Sequence, residues 1–230
     1  MTATASDVLA VWERGLSAPP GRRALELAGL ADSNPGGLTA GERDATLLHL
    51  RETLFGARIE GVVDCAACGE PLEVTTTTRS LLAAAPDAVE GAAVSLDGWE
   101  VHLRPATAAD LAAPDLSAAQ LLAACVEEAR HDGQAVDVAL LPPEVVAALD
   151  EALAAADPLA DLEFAATCPA CGETSTAPFD IASFLWAEVD RFALELLREV
   201  HVLASAYGWT EDEILALGQR RRLYLELVEA

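Results

Sequence analysis

Two short stretches carry residue types at a spacing that could do chemistry: Cys65-Ala66-Ala67-Cys68-Gly69 and Cys168-Pro169-Ala170-Cys171-Gly172. Each sets two thiols on a stretch short enough to be one tight turn, where backbone N–H groups can point back at the first sulfur. Glycine then supplies the positive φ that closes the turn. Read together, Cys65, Cys68, Cys168 and Cys171 are two halves of a single zinc site, one ion per chain. Four thiolates leave no open coordination position for water, so such a metal is expected to be structural and not a Lewis acid. One Cys-x-x-Cys is a weak signal; two, each followed by glycine in strand-like surroundings, form a strong one. The alternative is two independent redox pairs or four unligated thiols. The interval departs from the usual ribbon gap of about 15–20 residues, because a whole insertion separates the halves.

The flanking stretches must position these turns. Residues 58–63 and 72–77 are apolar or β-prone around the first, and 162–167 and 174–179 around the second, so both read as strand, knuckle, strand. Neither hairpin has enough apolar surface to fold alone, and a shared metal would clasp the two. The expected organisation is α+β and predominantly helical: an N-terminal helical region over 1–57, split zinc-ribbon-like hairpins over 58–78 and 162–179, an α+β insertion over 79–161, and a helical region with one long helix over 180–230.

Ser6-Asp7 predicts a helix cap, followed by Val8, Leu9, Val11 and Trp12, with Trp12 as core. A second helix is expected over 22–30. Thr39 stands three residues before Glu42, the spacing of a capping box, and opens a helix to Gly56 with His49 on its polar face. A short helix over 79–85 ends before Pro86. Asp97-Gly98 predicts a hairpin turn, with His102 on the solvent side. The pattern then predicts a helix over 117–130, with Cys125 buried as a small apolar residue, Gly133 as terminator and His131 as a cation near the helix end. Helix is also expected over 144–156. The clearest periodicity runs from Asp180 to about Ala206 (Ile181, Phe184, Leu185, Val189, Phe192, Leu196, Val200, Leu203), with Glu188–Arg191, Arg191–Glu195 and Glu195–Arg198 as pairs on its wetter side and His201 in a structural role. Gly208 should end it, and Thr210 with Glu213 should cap a further short helix before Arg220-Arg221-Arg222.

The chain has 230 residues, 52% of them hydrophobic, ample for a buried core. Its formal net charge is −24, with 38 acidic residues against 14 basic ones, every one of the latter arginine. Such a charge opposes phosphate backbones and anionic membranes. No apolar run suffices to cross a bilayer, no signal-peptide pattern opens the chain, and metal-type cysteine pairs suit a reducing compartment; together these predict a cytoplasmic protein. No phosphate-cradling glycine loop, HExxH pair or strained serine elbow is present, so no catalytic residues and no small-molecule substrate are assigned.

Gly41-Glu42-Arg43-Asp44 through Leu50-Arg51 and Leu54-Phe55-Gly56, the two knuckles, Phe179-Asp180-Ile181 through Trp186-Ala187-Glu188, and Tyr207-Gly208-Trp209 through Leu217 together resemble one family. It is that of the baseplate hub assembly chaperone-like proteins of contractile bacteriophage tails and related contractile injection systems. The resemblance implies a non-enzymatic protein whose partners are baseplate hub, spike or tail-tube proteins, and it carries the four cysteines over as structural ligands. The other class of reading is a zinc-ribbon nucleic-acid or transcription accessory protein, resting on the knuckles and the arginine triplet. Asp64, Glu70, Glu73, Glu163 and Glu173 beside the knuckles argue against it.

Overall fold

The computed structural model describes residues 3–84, 92–114, 117–218 and 220–229. Local capping starts its first helices. α1 (Ala5–Gly15) opens on a reciprocal box between Thr4 and Asp7, so Asp7 is the third helical residue and the cap precedes Ser6. α2 (Pro20–Ala28) carries Pro20 in its first turn, where no N–H is missed. α3 (Ala40–Phe55) opens on the expected box, Thr39 and Glu42 exchanging bonds of 2.9 and 3.2 Å. β1 (Arg58–Asp64) and β2 (Pro71–Thr77) then form the first knuckle hairpin, and α4 (Thr78–Ala84) follows it. Ala85 and Pro86, the expected stop, lie outside the described residues.

The segment between the knuckles holds β3 (Ala92–Leu96), β4 (Trp99–Leu103), α5 (Ala108–Leu111), α6 (Ala118–Cys125), β5 (Val126–His131), β6 (Gln134–Ala135) and α7 (Pro143–Ala156). β3–β4–β5–β6 is a four-stranded antiparallel sheet. Val101, Leu103 and Ala129 from its strands meet Val145, Leu149 and Ala156 of α7 in a core of their own. β7 (Glu163–Thr167) and β8 (Thr174–Pro178) form the second knuckle hairpin, after which come α8 (Ile181–Tyr207), α9 (Glu211–Leu215) and α10 (Arg220–Glu229).

The expected helix over 117–130 is corrected. α6 stops at Cys125, Val126 turns to extended backbone, and Val126–His131 pairs with β4 in the register Val101↔Ala129 and Trp99↔His131. Without this partner β4 would present an open edge, and tertiary pairing overrides the helix propensity of Glu127-Glu128-Ala129-Arg130. The signal was present. Asp132-Gly133 is a hairpin dipeptide like Asp97-Gly98, and both residues of each pair have positive φ. His131 is therefore at a strand end, stacked on Trp99 at 4.4 Å, and not a helix-end cation.

The main core collects the apolar stripes of α1, α2 and α3 against the first half of α8: Val8, Trp12, Leu27, Leu47, Leu48, Ile181, Leu185 and Val189 are all buried there. Each fully buried aliphatic side chain contributes roughly 1.5–3 kcal/mol. Trp12 is core as expected, and its Nε1 donates to Asp190 Oδ1 at 2.8 Å. The pairs anticipated along α8 do not form among the described residues. Glu188 instead takes both arms of Arg51 from α3, Nε to Oε2 at 3.0 Å and Nη2 to Oε1 at 2.9 Å. α8 ends at left-handed Gly208, and the predicted Thr210–Glu213 box opens α9. Tyr207 and Trp209 stack across that cap with ring centroids 4.5 Å apart, Tyr224 meets both rings edge-on, and Arg221 reaches Glu199 at 2.6 Å, fastening α10 back onto α8.

Candidate metal centre

Each knuckle is a turn built by its own backbone. Cys65 N–H donates to Glu70 O at 2.9 Å and Gly69 N–H to Cys65 O at 2.8 Å; the second knuckle repeats this with Cys168 to Glu173 at 2.8 Å and Gly172 to Cys168 at 2.9 Å. Gly69 and Gly172 sit at φ 73° and 75°, where a side chain would strain the turn. This geometry frees the N–H groups of Cys68 and Ala67 to reach Cys65 Sγ.

The fold brings the two turns together across about one hundred residues of chain. Cys65 Sγ lies 3.7 Å from Cys171 Sγ and Cys68 Sγ lies 3.7 Å from Cys168 Sγ, and all four sulfurs fall within 4.8 Å of one another. A tetrahedral site with Zn–S bonds of about 2.3 Å has sulfur–sulfur edges of about 3.8 Å, so the four positions fit such an ion. Both short edges cross from one knuckle to the other, which makes the cluster a joint between hairpins. Among the described residues, only Leu72, Val63 and Ala166 add apolar packing around it, far too little to hold two hairpins together.

Electrostatics divide the four thiols. The Cys68 and Ala67 N–H groups hold the Cys65 thiol down at about 6. Cys68 accepts from the Glu70 N–H, yet the neighbouring thiols of Cys171, Cys65 and Cys168 push it up to about 12. Cys171 accepts likewise from the Glu173 N–H and is raised overall, by burial and by the thiols of Cys168 and Cys65. The first thiolate forms readily and each further one meets its charge, so a cation is what allows all four to ionise.

No other candidate joins the cluster among the described residues. His49, His102 and His201 are exposed on α3, β4 and α8, and Cys125 is buried at the end of α6, where burial pushes its thiol up. The two knuckle hairpins expose Asp64, Glu70, Glu73, Glu163 and Glu173, while Arg220 and Arg222 lie exposed on α10 and Arg221 is spent on Glu199. Sequence reasoning missed Arg51–Glu188, for which spacing along one helix offers no sign.

Fold and site together define a helical protein in which two cysteine knuckles, separated by an α+β segment, close on one four-thiol cluster. The chain belongs to the family of the T4 bacteriophage base plate protein, whose model matches residues 28–186. That stretch runs from the end of α2 into α8 and contains both knuckles. No curated protein and no solved structure matches the chain. Among the described residues no helix is long and apolar enough to cross a membrane.

Proposed function

We propose that this protein is a zinc-clasped component or assembly chaperone of the baseplate hub in a contractile phage tail or contractile injection system, acting through protein–protein contacts and not as an enzyme. Membership of the base plate family over residues 28–186 carries this reading. Its partners are then hub, spike or tail-tube proteins. Cys65, Cys68, Cys168 and Cys171 are its metal ligands, and when bound a zinc ion supplies a crosslink with no open position for chemistry. The chain's own part is to hold the knuckle turns rigid and to present helices. Leu223, Leu227 and Val228 stay exposed on α10, an apolar face of the kind that docks in a partner's groove. The charge of −24 supports protein partners over nucleic acid or anionic membrane.

The test is a pull-down of the intact chain from cells assembling tails, with metal content measured on the same sample. Recovery of hub, spike or tube proteins with about one zinc per chain is expected. Recovery of nucleic acid or polymerase subunits that survives nuclease and high salt would overturn the reading.

A further inference from the structure

Two strand edges face each other without a hydrogen bond between them. β2 pairs with β1 and β7 with β8, in separate two-stranded sheets, and among the described residues no backbone bond joins β2 to β7. Between them runs a groove of about 650 Å³, lined by every residue of β2 from Pro71 to Thr76 and by Glu163 and residues 165–167 of β7. A cleft over one face of a strand meets alternate residues. This one meets consecutive residues, so it follows the edges.

Register decides which backbone groups face it. In the first hairpin, Cys65 N–H to Glu70 O and Thr78 N–H to Ala57 O, at 2.9 and 3.0 Å, mark bonded pairs at both ends. Bonded and unbonded pairs alternate in an antiparallel ladder, so Leu72, Val74 and Thr76 bond to β1 while Glu73 and Thr75 turn both N–H and C=O outward. In the second hairpin the bonds Cys168 N–H to Glu173 O and Phe179 N–H to Leu162 O, at 2.8 and 2.7 Å, set the same alternation. Glu163, Ala165 and Thr167 are thereby left with outward groups. Glu73 and Glu163, both exposed, are the charged residues lining the groove, and Arg58 is the only cation in the four strands.

We propose that this groove is a strand-addition site for an extended segment of a partner protein, free of proline and carrying lysine or arginine. The segment pairs with the free edge of β2 at Glu73 and Thr75 and lies against that of β7, with the two glutamates receiving its cations. The inference rests on edges and charge alone, whatever assembly supplies the segment.

The test begins with a displayed library of random ten-residue peptides selected on the intact chain. Enriched sequences should be β-prone, basic and free of proline, and the best of them, synthesised, becomes the probe. Hydrogen exchange should then slow at the amides of Glu73, Thr75, Glu163, Ala165 and Thr167 and be unchanged along α8. Thr75→Pro removes an outward N–H without touching a β1–β2 bond and should weaken the probe roughly tenfold or more. Glu73→Lys with Glu163→Lys keeps every backbone group and should weaken it similarly, a readout that stands even if the proline variant fails to fold. No enrichment, protection elsewhere, or unaltered binding by the charge variant overturns the proposal. So does concentration-dependent protection of the same amides without peptide, which would make a second copy of the chain the occupant, or protection by nucleic acid.

Discussion

At the scale of single residues, the knuckle cysteines and Asp44 are governed by opposite requirements. The thiols need a cation to ionise together, because the Cys65 thiol is held at about 6 by turn N–H groups while Cys68 is driven to about 12 by its neighbours. Replacing Cys68 or Cys171 by serine is expected to release the metal and to cost several kcal/mol, on the order of a structural zinc site's share of folding energy; metal analysis and a denaturant midpoint on each variant check this, and full metal with an unchanged midpoint would refute the clasp. Asp44 is buried on α3, and burial raises its carboxyl to about 6 against the pull of Arg43, whose Nε donates to it at 2.7 Å, with Asp180 and Asp157 adding like charge. A carboxyl raised in the folded state binds more protons there than when unfolded. Stability should therefore fall as pH rises from about 4 to about 6 and stay reduced above that. Asp44→Asn should flatten this slope, measured by urea unfolding across that range, and at pH 7.5 its relief of the buried carboxylate is opposed by the loss of the Arg43 ion pair.

Elements are joined by contacts whose partners come from distant parts of the chain. Arg51, 4% exposed, holds Glu188 in a two-bond fork and so fixes α3 against α8. Breaking such a pair from one side strands a buried charge, at about 3–5 kcal/mol, whereas replacing both partners is far milder. Arg51→Ala alone should accordingly destabilise more than Arg51→Met combined with Glu188→Leu, a comparison that thermal melts of the two variants make directly. Both residues stand in the stretches that resemble the baseplate family, yet their partnership is invisible there. The helices α3, α7 and α8 were legible because capping residues and apolar periodicity are local. β5 was not, since Glu127 to Arg130 favours helix until β4 offers a ladder.

Over the whole molecule, charge acts against compactness. A net charge of −24 with few cations means that the folded chain repels itself, and the ion pairs among the described residues use a minority of the carboxylates. Raising sodium chloride from about 10 to 200 mM shortens the Debye length from about 30 Å to under 10 Å. The melting temperature should rise with it, and an unchanged or falling value would show that self-repulsion is not a significant cost. The same field leaves the molecule suited to basic protein partners and unsuited to phosphate backbones. Family membership implies baseplate proteins as partners.

The sequence by itself determined the two knuckles, the four cysteines that come together, the capped helices and the sign of the surface, because each depends on residues within a few positions of one another or on simple sums. Which thiol faces which across the site, the fork between Arg51 and Glu188, the strand at Val126–His131 and the groove between β2 and β7 were decided only by the tertiary structure. These depend on where distant segments come to rest, and a segment's own residues fix only what it can pair with, while packing chooses the partner.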